Sequence, residues 1–409
     1  MTPGPSGSVP EPHGRADARP SLYTSSFVAL CALMLLGFCS FNVINPVIPV
    51  IVIDAGGDAA LAGIIVAMFS IPSVLLRPFF GRLVDEWSKR RVLALGVSGL
   101  ALSSLLYLVP GIVAMAGVRL LHGTAWGAFN TGGNSSLADI APPERRGEAS
   151  GIYGLMPGLS QMAMPALGLA LLGAWGAPGP FLFAAMLASL GIGIAVFGPS
   201  LANRTTRAAA TRSTGLGSLL ERRVVLPMTL EFLWMSTNCL FFIFPPVWAR
   251  EHGIPVEALA LYYPALGFAM VVARVIIGPR LDRFPRGWPV IAGAALGTMG
   301  LMVAIVAQDV AVLTVGGVLY AIAASLTSPI HLAIAMDRAL PGRVGAAMAT
   351  YSLGYQLGLG IGSAAYGVVI SMAGFPAPFV IGIGAMLLMV AAIAGMRADL
   401  LRPRASMTG

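Results

Sequence analysis

Apolar stretches long enough to cross a bilayer, about 20 residues each, follow one another along almost the whole chain, and they leave few folds open. A segment apolar on every side has no face for water, so such a chain packs helix against helix within a membrane. Composition agrees: 57% of residues are hydrophobic and 10% are charged, against roughly 45–50% and about 25% in soluble domains. Apolar content predicts twelve spans, over about 26–52, 58–80, 91–109, 111–139, 149–173, 179–199, 224–248, 256–278, 288–307, 310–334, 345–371 and 376–397. The expected fold class is an all-α membrane protein, with the lipid bilayer as its first partner.

The spans fall into two copies. Arg77, Gly81 and Asp85 recur as Arg274, Gly278 and Asp282, each offset by 197 residues. Asp139, Gly147, Ala149 and Tyr153 recur as Asp337, Gly345, Ala347 and Tyr351, offset by 198. Equal signals in equal order mark an internal duplication. They predict two six-helix bundles, over 25–199 and 224–397, joined by a basic Ala-, Thr- and Ser-rich linker at 200–223. Residues 1–24 lack the apolar core of a signal peptide and read as a disordered cytoplasmic tail. Residues 398–409 read as a second tail.

Basic residues set the orientation. With the N-terminus in the cytoplasm, outside loops hold only Arg250, while Arg77, Arg119 and Arg274 lie within or at the ends of spans. All other Arg and the single lysine, Lys89, fall on the cytoplasmic side, which is the positive-inside pattern. Both termini are therefore expected in the cytoplasm. The net charge of +8 belongs to membrane topology rather than to nucleic-acid binding. The scarcity of lysine and the load of Ala, Gly and Arg read as a bacterial plasma-membrane protein.

The turn between the second and third spans carries Gly81, Leu83 and Asp85, followed by Lys89 and Arg90. It resembles the G-x-L-x-D-x-x-G-[RK]-[RK] loop of the major facilitator superfamily, with Ser88 at the second glycine and Glu86 after the aspartate. The second copy keeps Gly278, Asp282 and Arg286, with Pro285 at the second glycine. Arg119 and Gly123 match that family's fourth-helix motif. In the fifth helix Pro165 and Gly168 match the antiporter pattern, while Ser160, Met164 and Leu169 depart from it. The similarity is greatest to the twelve-helix drug:proton antiporter-like branch and covers about 24–397. It implies alternating access by two rocking bundles. It also implies that Gly81, Asp85, Lys89 and Arg90, with Gly278 and Asp282 in the second copy, serve a gate; the internal repeat adds Arg77 and Arg274 to that gate, and Asp139 and Asp337 as gate or loop-anchoring residues. In that gate Gly81 would permit close approach of helix and loop, and Asp85 with the basic cluster would pair across the bundle interface.

Within the spans, Glu231 is the candidate proton carrier. An ionised acid at depth costs roughly 2.5–3.5 kcal/mol on insertion scales. A carboxyl that changes protonation as its exposure changes is what proton coupling needs. Arg119, His122, Gly123, Trp126, Asn130 and Asn134 form one stripe at helical spacing, which turns toward a polar interior rather than lipid. The family gives Arg119 a part in tuning proton transfer. Substrate-site candidates are Asn42 and Asn45, beside Pro46 and Pro49, with Trp126, Asn130, Asn134, Trp234, Asn238, His331, Tyr351 and Tyr355. For His331 and the aromatic residues, simple packing is the competing reading. That mixture suits a moderately apolar ligand with a few hydrogen-bonding groups.

The three cysteines and four histidines show no disulfide framework or metal-ligand spacing. No acid pair, serine nucleophile motif or nucleotide-binding loop accompanies them. An enzyme or a self-contained ATP pump is disfavoured, and the short tails argue against a sensor. The expected function is proton-coupled export of small amphipathic or apolar compounds by a monomer, energised by the proton gradient with no cofactor. The alternative is import of a sugar, organic acid or other metabolite by proton symport.

Overall fold

The computed structural model describes residues 21–142, 145–199, 221–281, 283–340 and 344–396, and among them every regular element is a helix. The N-terminal half contains α1 (Ser25–Ile44), α2 (Val47–Asp54), α3 (Ala59–Met68), α4 (Ser70–Leu75), α5 (Arg77–Glu86), α6 (Lys89–Leu106), α7 (Ile112–Ile140), α8 (Arg146–Tyr153), α9 (Leu155–Trp175) and α10 (Pro178–Phe197). The C-terminal half contains α11 (Val225–Phe242), α12 (Pro245–Glu251), α13 (Tyr262–Leu281), α14 (Gly287–Ile305), α15 (Val310–Asp337), α16 (Val344–Ala373) and α17 (Pro376–Met396). Among the described residues, ten helices are long and apolar enough to cross a membrane, or eleven if one bent pair counts as a single span. The helix α6, which opens on Lys89, Arg90 and Arg91, falls short of that measure and lies where the twelve-span plan expects its third span. The expected tails and most of the linker, at 1–20, 200–220 and 397–409, lie outside the described residues.

Several spans expected to be continuous are broken, and proline is the physical cause. A proline cannot donate to the carbonyl four residues back. Pro46 and Pro49 separate α1 from α2, as their positions predict. Pro72 and Pro78 divide the second span into three pieces, with a 44° bend before Arg77. Pro157 follows the break at Gly154 between α8 and α9. In the seventh span Pro245 and Pro246 end α11 and begin α12, and Pro245 frees the carbonyl of Phe241. Tyr262 takes it up, donating its hydroxyl at 2.9 Å. Broken backbone is thus satisfied by protein, as depth in a bilayer demands.

The turn motif differs from expectation too. Its first part is helical through Glu86, so Gly81 and Leu83 lie on a helix. Ser88, at the family's glycine position, caps α6 by accepting from Arg91 N at 3.2 Å. A serine at that position therefore has its own structural use.

The two halves repeat one packing scheme. In the first, α1 lies on α9 and α10, and α6 lies on α7 and α10; in the second, α11 lies on α16 and α17, and α14 lies on α15 and α17. Lipid supplies no hydrophobic drive between helices, so close backbone approach carries the packing. Gly168 faces the carbonyl of Val43, Gly354 that of Met228 and Gly358 that of Phe232. The halves meet along two seams, α3 and α4 against α16, and α9 against α13. At the ends assigned to the outside, α2 packs on α12, and Arg250 reaches Asp54 at 3.0 Å.

Candidate functional site

Each half encloses one buried polar cluster. In the C-terminal half, Glu231 sits two turns into α11, beyond Pro227, on a helix whose neighbouring face is pressed against α16. His331 of α15 donates Nδ1–H to Glu231 Oε2 at 2.9 Å, and the two residues are 0% and 2% exposed. His331 Nε2 has no partner. Tyr351 interacts with the same carboxyl and donates to the carbonyl of Ser328 at 3.5 Å. Tyr355 and Tyr320 lie within electrostatic reach of it. Tyr355 is 42% exposed although it stands mid-helix. Among the described residues, Glu231 is the one acid more than a turn from a helix end.

The duplication gives this cluster a counterpart. The positions matching Glu231, His331 and Tyr351 are Met34, Gly133 and Tyr153. They also meet in space: a side chain at Gly133 would run into the Met34 thioether and the Tyr153 hydroxyl. One cradle is thus built twice, and only the second copy carries an acid and an imidazole.

In the N-terminal half, Arg119 of α7 is 1% exposed. Phe69 N bonds to Val66 O at 3.3 Å, a tightened turn where α3 ends. Arg119 takes up the loosened carbonyls, donating Nε to Ile65 O at 3.4 Å and Nη2 to Val66 O at 3.2 Å. Its Nη2 also reaches Asn45 Oδ1 at 3.4 Å, and the guanidinium lies 5.1 Å over the Phe69 ring. Tyr107 and His122 are joined at 3.2 Å beside it. Phe41 stacks on Trp126 at 4.4 Å, and Asn42 donates to Ser160 Oγ at 2.8 Å.

The expected stripe on α7 is therefore real but graded: Arg119, His122 and Trp126 are buried, Asn130 is half-buried and Asn134 is exposed. Asn45 and Asn238 are also half-buried. Trp234, expected at the substrate, is instead fully enclosed in the C-terminal core, stacked on Tyr320 at 4.6 Å opposite Gly297. Ser160, Phe69 and Tyr107 were not foreseen as site partners. Ser160 stood in the sequence only as a departure from the fifth-helix pattern, and nothing local marked the other two.

Charged groups expected at the gate divide by location. Lys89 pairs with Asp139, and Arg286 pairs with Asp337 at 3.4 Å; these are matching positions of the two halves. Arg90 donates Nε to Ala195 O at 2.6 Å and Nη2 to Gly198 O at 3.2 Å, satisfying carbonyls at the end of α10 that have no helical donor. The basic cluster expected to bridge the bundles thus stays within its own half here. Arg77 does cross, donating to Ser352 Oγ on α16. Its counterpart Arg274 lies over Gly158 of α9, and its buried Nε has no partner. Gly81, expected at a close approach, faces open space, as does its counterpart Gly278; close backbone approaches fall on Gly123, Gly168 and Gly354 instead. The side chain of Asp85 and the whole of Asp282 lie outside the described residues. Among the described residues, no three His, Cys, Asp or Glu side chains gather as a metal site.

The sequence pattern of the Major Facilitator Superfamily matches residues 30–275 and again 232–406. The chain belongs to the major facilitator superfamily. Tetracycline resistance protein, class E, of Escherichia coli is 27% identical over 168 residues, which is 40% of this chain and 41% of that protein. The uncharacterised MFS-type transporter YhhS of Escherichia coli K12 is 24% identical over 382 residues, 87% of this chain and 89% of its own length. A crystal structure of a D-xylose–proton symporter superposes with a TM-score of 0.73 at 16% identity, over 90% of this chain and 97% of that one. The chain spans about two fifths of the length of the tetracycline resistance proteins it matches, and its apolar helices have the multi-pass architecture of this transporter superfamily.

Proposed function

We propose that this chain is a proton-coupled transporter that exports small amphipathic or apolar compounds by alternating access. The buried Glu231–His331 pair carries this reading. A charged carboxylate there is held by the imidazole across α11 and α15. Protonation removes its charge and its need for that donor, loosening the link between the two helices. A proton taken up from outside would favour return to the inward-facing state, where its release accompanies substrate binding. The outer contact between Asp54 and Arg250 and the packing of α2 on α12 suit a state closed on the outside. Lys89–Asp139 and Arg286–Asp337 then act as cytoplasmic clasps, with Arg77, Arg90 and Arg274 aligning the helix ends as the bundles rock. Arg119 keeps the bent second span in register. Asn42, Asn45, Asn130, Asn134, Asn238, Tyr351 and Tyr355 supply polar contacts for substrate.

The proposed setting is a bacterial plasma membrane. The transporter works as a monomer with both termini in the cytoplasm, and its bundles are divided at 200–223. Export is supported by the similarity to tetracycline resistance proteins. Import by proton symport is the second reading, favoured by one observation: Ser160, where the antiporter pattern has glycine, is occupied by Asn42.

Proton movement in proteoliposomes of fixed orientation tests this. Adding a transported compound to one side should drive protons opposite to its flux, and Glu231→Gln should abolish that movement while sparing binding. Protons moving with the compound would select symport. Full gradient-driven activity in Glu231→Gln would remove Glu231 from the mechanism.

A further inference from the structure

The balance of charge inside the spans carries an inference about the substrate, resting on the transport reading above. A free acid at the site would favour lipophilic cations. Here Glu231, the one acid deep in a described helix, is tied to His331 at 2.9 Å with both residues closed off. Three arginines, Arg77, Arg119 and Arg274, lie within or at the ends of the spans. Arg119 is fully enclosed within the N-terminal half, with Nε and Nη2 directed at the carbonyls of Ile65 and Val66 and Nη1 left without a partner. Arg77 and Arg274 are not enclosed in this way. They are duplicated positions at the two seams between the halves, one against α16 and the other against α9. Both are half-buried, and neither meets an acid among the described residues. Arg77 has a neutral serine hydroxyl, and Arg274 has a buried Nε with nothing to donate to.

A guanidinium withdrawn from water without a counter-charge is costly. Two such groups, one at each seam between the halves, bias the field at that interface toward positive. They need not touch the same ligand together to set the sign of what enters. Tyr355, exposed and one turn along α16 from the Ser352 that Arg77 meets, supplies an aromatic surface beside that charge. We propose that the transported compound is an amphipathic anion, an apolar body bearing a carboxylate or sulfonate, and that Arg77 and Arg274 select it against cations of the same shape.

Matched probes test this on the purified full chain. Benzenesulfonate and naphthalenesulfonate are compared with phenyltrimethylammonium and naphthyltrimethylammonium by calorimetric titration and by thermal unfolding. The sulfonates should bind and raise the melting temperature, and the ammonium ions should do neither. Arg274→Gln should weaken sulfonate binding about tenfold, as loss of a charge-assisted contact does, and Arg274→Lys should recover most of it. Ammonium binding as tight as sulfonate binding, no sulfonate binding at all, or undiminished binding in a folded Arg274→Gln would each overturn the proposal. If Arg274→Gln does not fold, the comparison of matched probes on the unaltered chain decides alone. The titration is blind to protons, so failure of anion selection leaves proton coupling intact. Anion binding without gradient-driven flux would do the reverse.

Discussion

Arg119 is a full charge held at membrane depth by dipoles rather than by an acid. Its donors are directed at two carbonyls, one amide oxygen and an aromatic face, a fan that a planar guanidinium can serve and a compact ammonium cannot. Arg119→Lys should therefore destabilise the protein by about 2 kcal/mol, the scale of leaving buried acceptors unserved, seen as a lower melting temperature in detergent. Single charges like Arg119 and Glu231 were legible in the sequence because each interrupts an apolar run, and interruption at depth needs a reason. Their partners were not legible. His331 lies 100 residues from Glu231, and Ser160 lies 118 from Asn42. Which turn of one helix faces which turn of another is fixed by ridge-and-groove packing, and local periodicity does not record it. The expected tight fit at Gly81 failed for the same reason: glycine permits close approach, but a neighbour must be there to approach.

At the scale of helices, α16 has two glycine faces with different duties. Gly354, Gly358 and Gly362 recur every fourth residue and press on α11, within one half. Gly360 and Gly367 turn the other way, toward Ser70 and Gly63 across the seam. A larger side chain should then have opposite consequences on the two faces. Gly358→Val should overpack the bundle and cost about 1–3 kcal/mol of stability, lowering the melting temperature. Gly63→Val should leave each bundle folded but wedge α3 from α16, slowing transport with little change in melting. A loss of folding as large as that of Gly358→Val would show that the seam is part of the permanent core. Span positions were readable from apolar content, and the break at Pro46 from the proline itself. The breaks in the second, fifth and seventh spans follow from the same chemistry, yet they vanish when apolar length alone is counted. Ser88 looked like a defect in a motif until the end of α6 showed it serving as a cap.

Across the whole molecule, the two halves touch at both seams and again at the outer mouth, where Asp54 and Arg250 join α2 to α12. An exposed pair of this kind contributes only about 0–1 kcal/mol, which suits a contact that must break in every cycle. Cysteines placed at 54 and 250 and joined by a short bis-maleimide should hold that mouth shut and stop transport, while either single cysteine remains active. The native Cys31, Cys39 and Cys239 are buried and should not compete. Continued transport by the joined protein would mean that the mouth need not open there. The duplication was visible in the sequence as paired offsets, whereas its chemical inequality was visible only once Met34, Gly133 and Tyr153 were seen to form the same cradle as Glu231, His331 and Tyr351. That inequality has a thermodynamic consequence. With one titratable cradle in two, the stoichiometry of the proposed cycle is one proton per turnover. One proton crossing about 100 mV supplies about 2.3 kcal/mol, so the proton by itself, before the cargo's own charge is counted, sustains a concentration ratio of roughly fiftyfold. Placing a working acid and imidazole at 34 and 133 would raise that ceiling to its square.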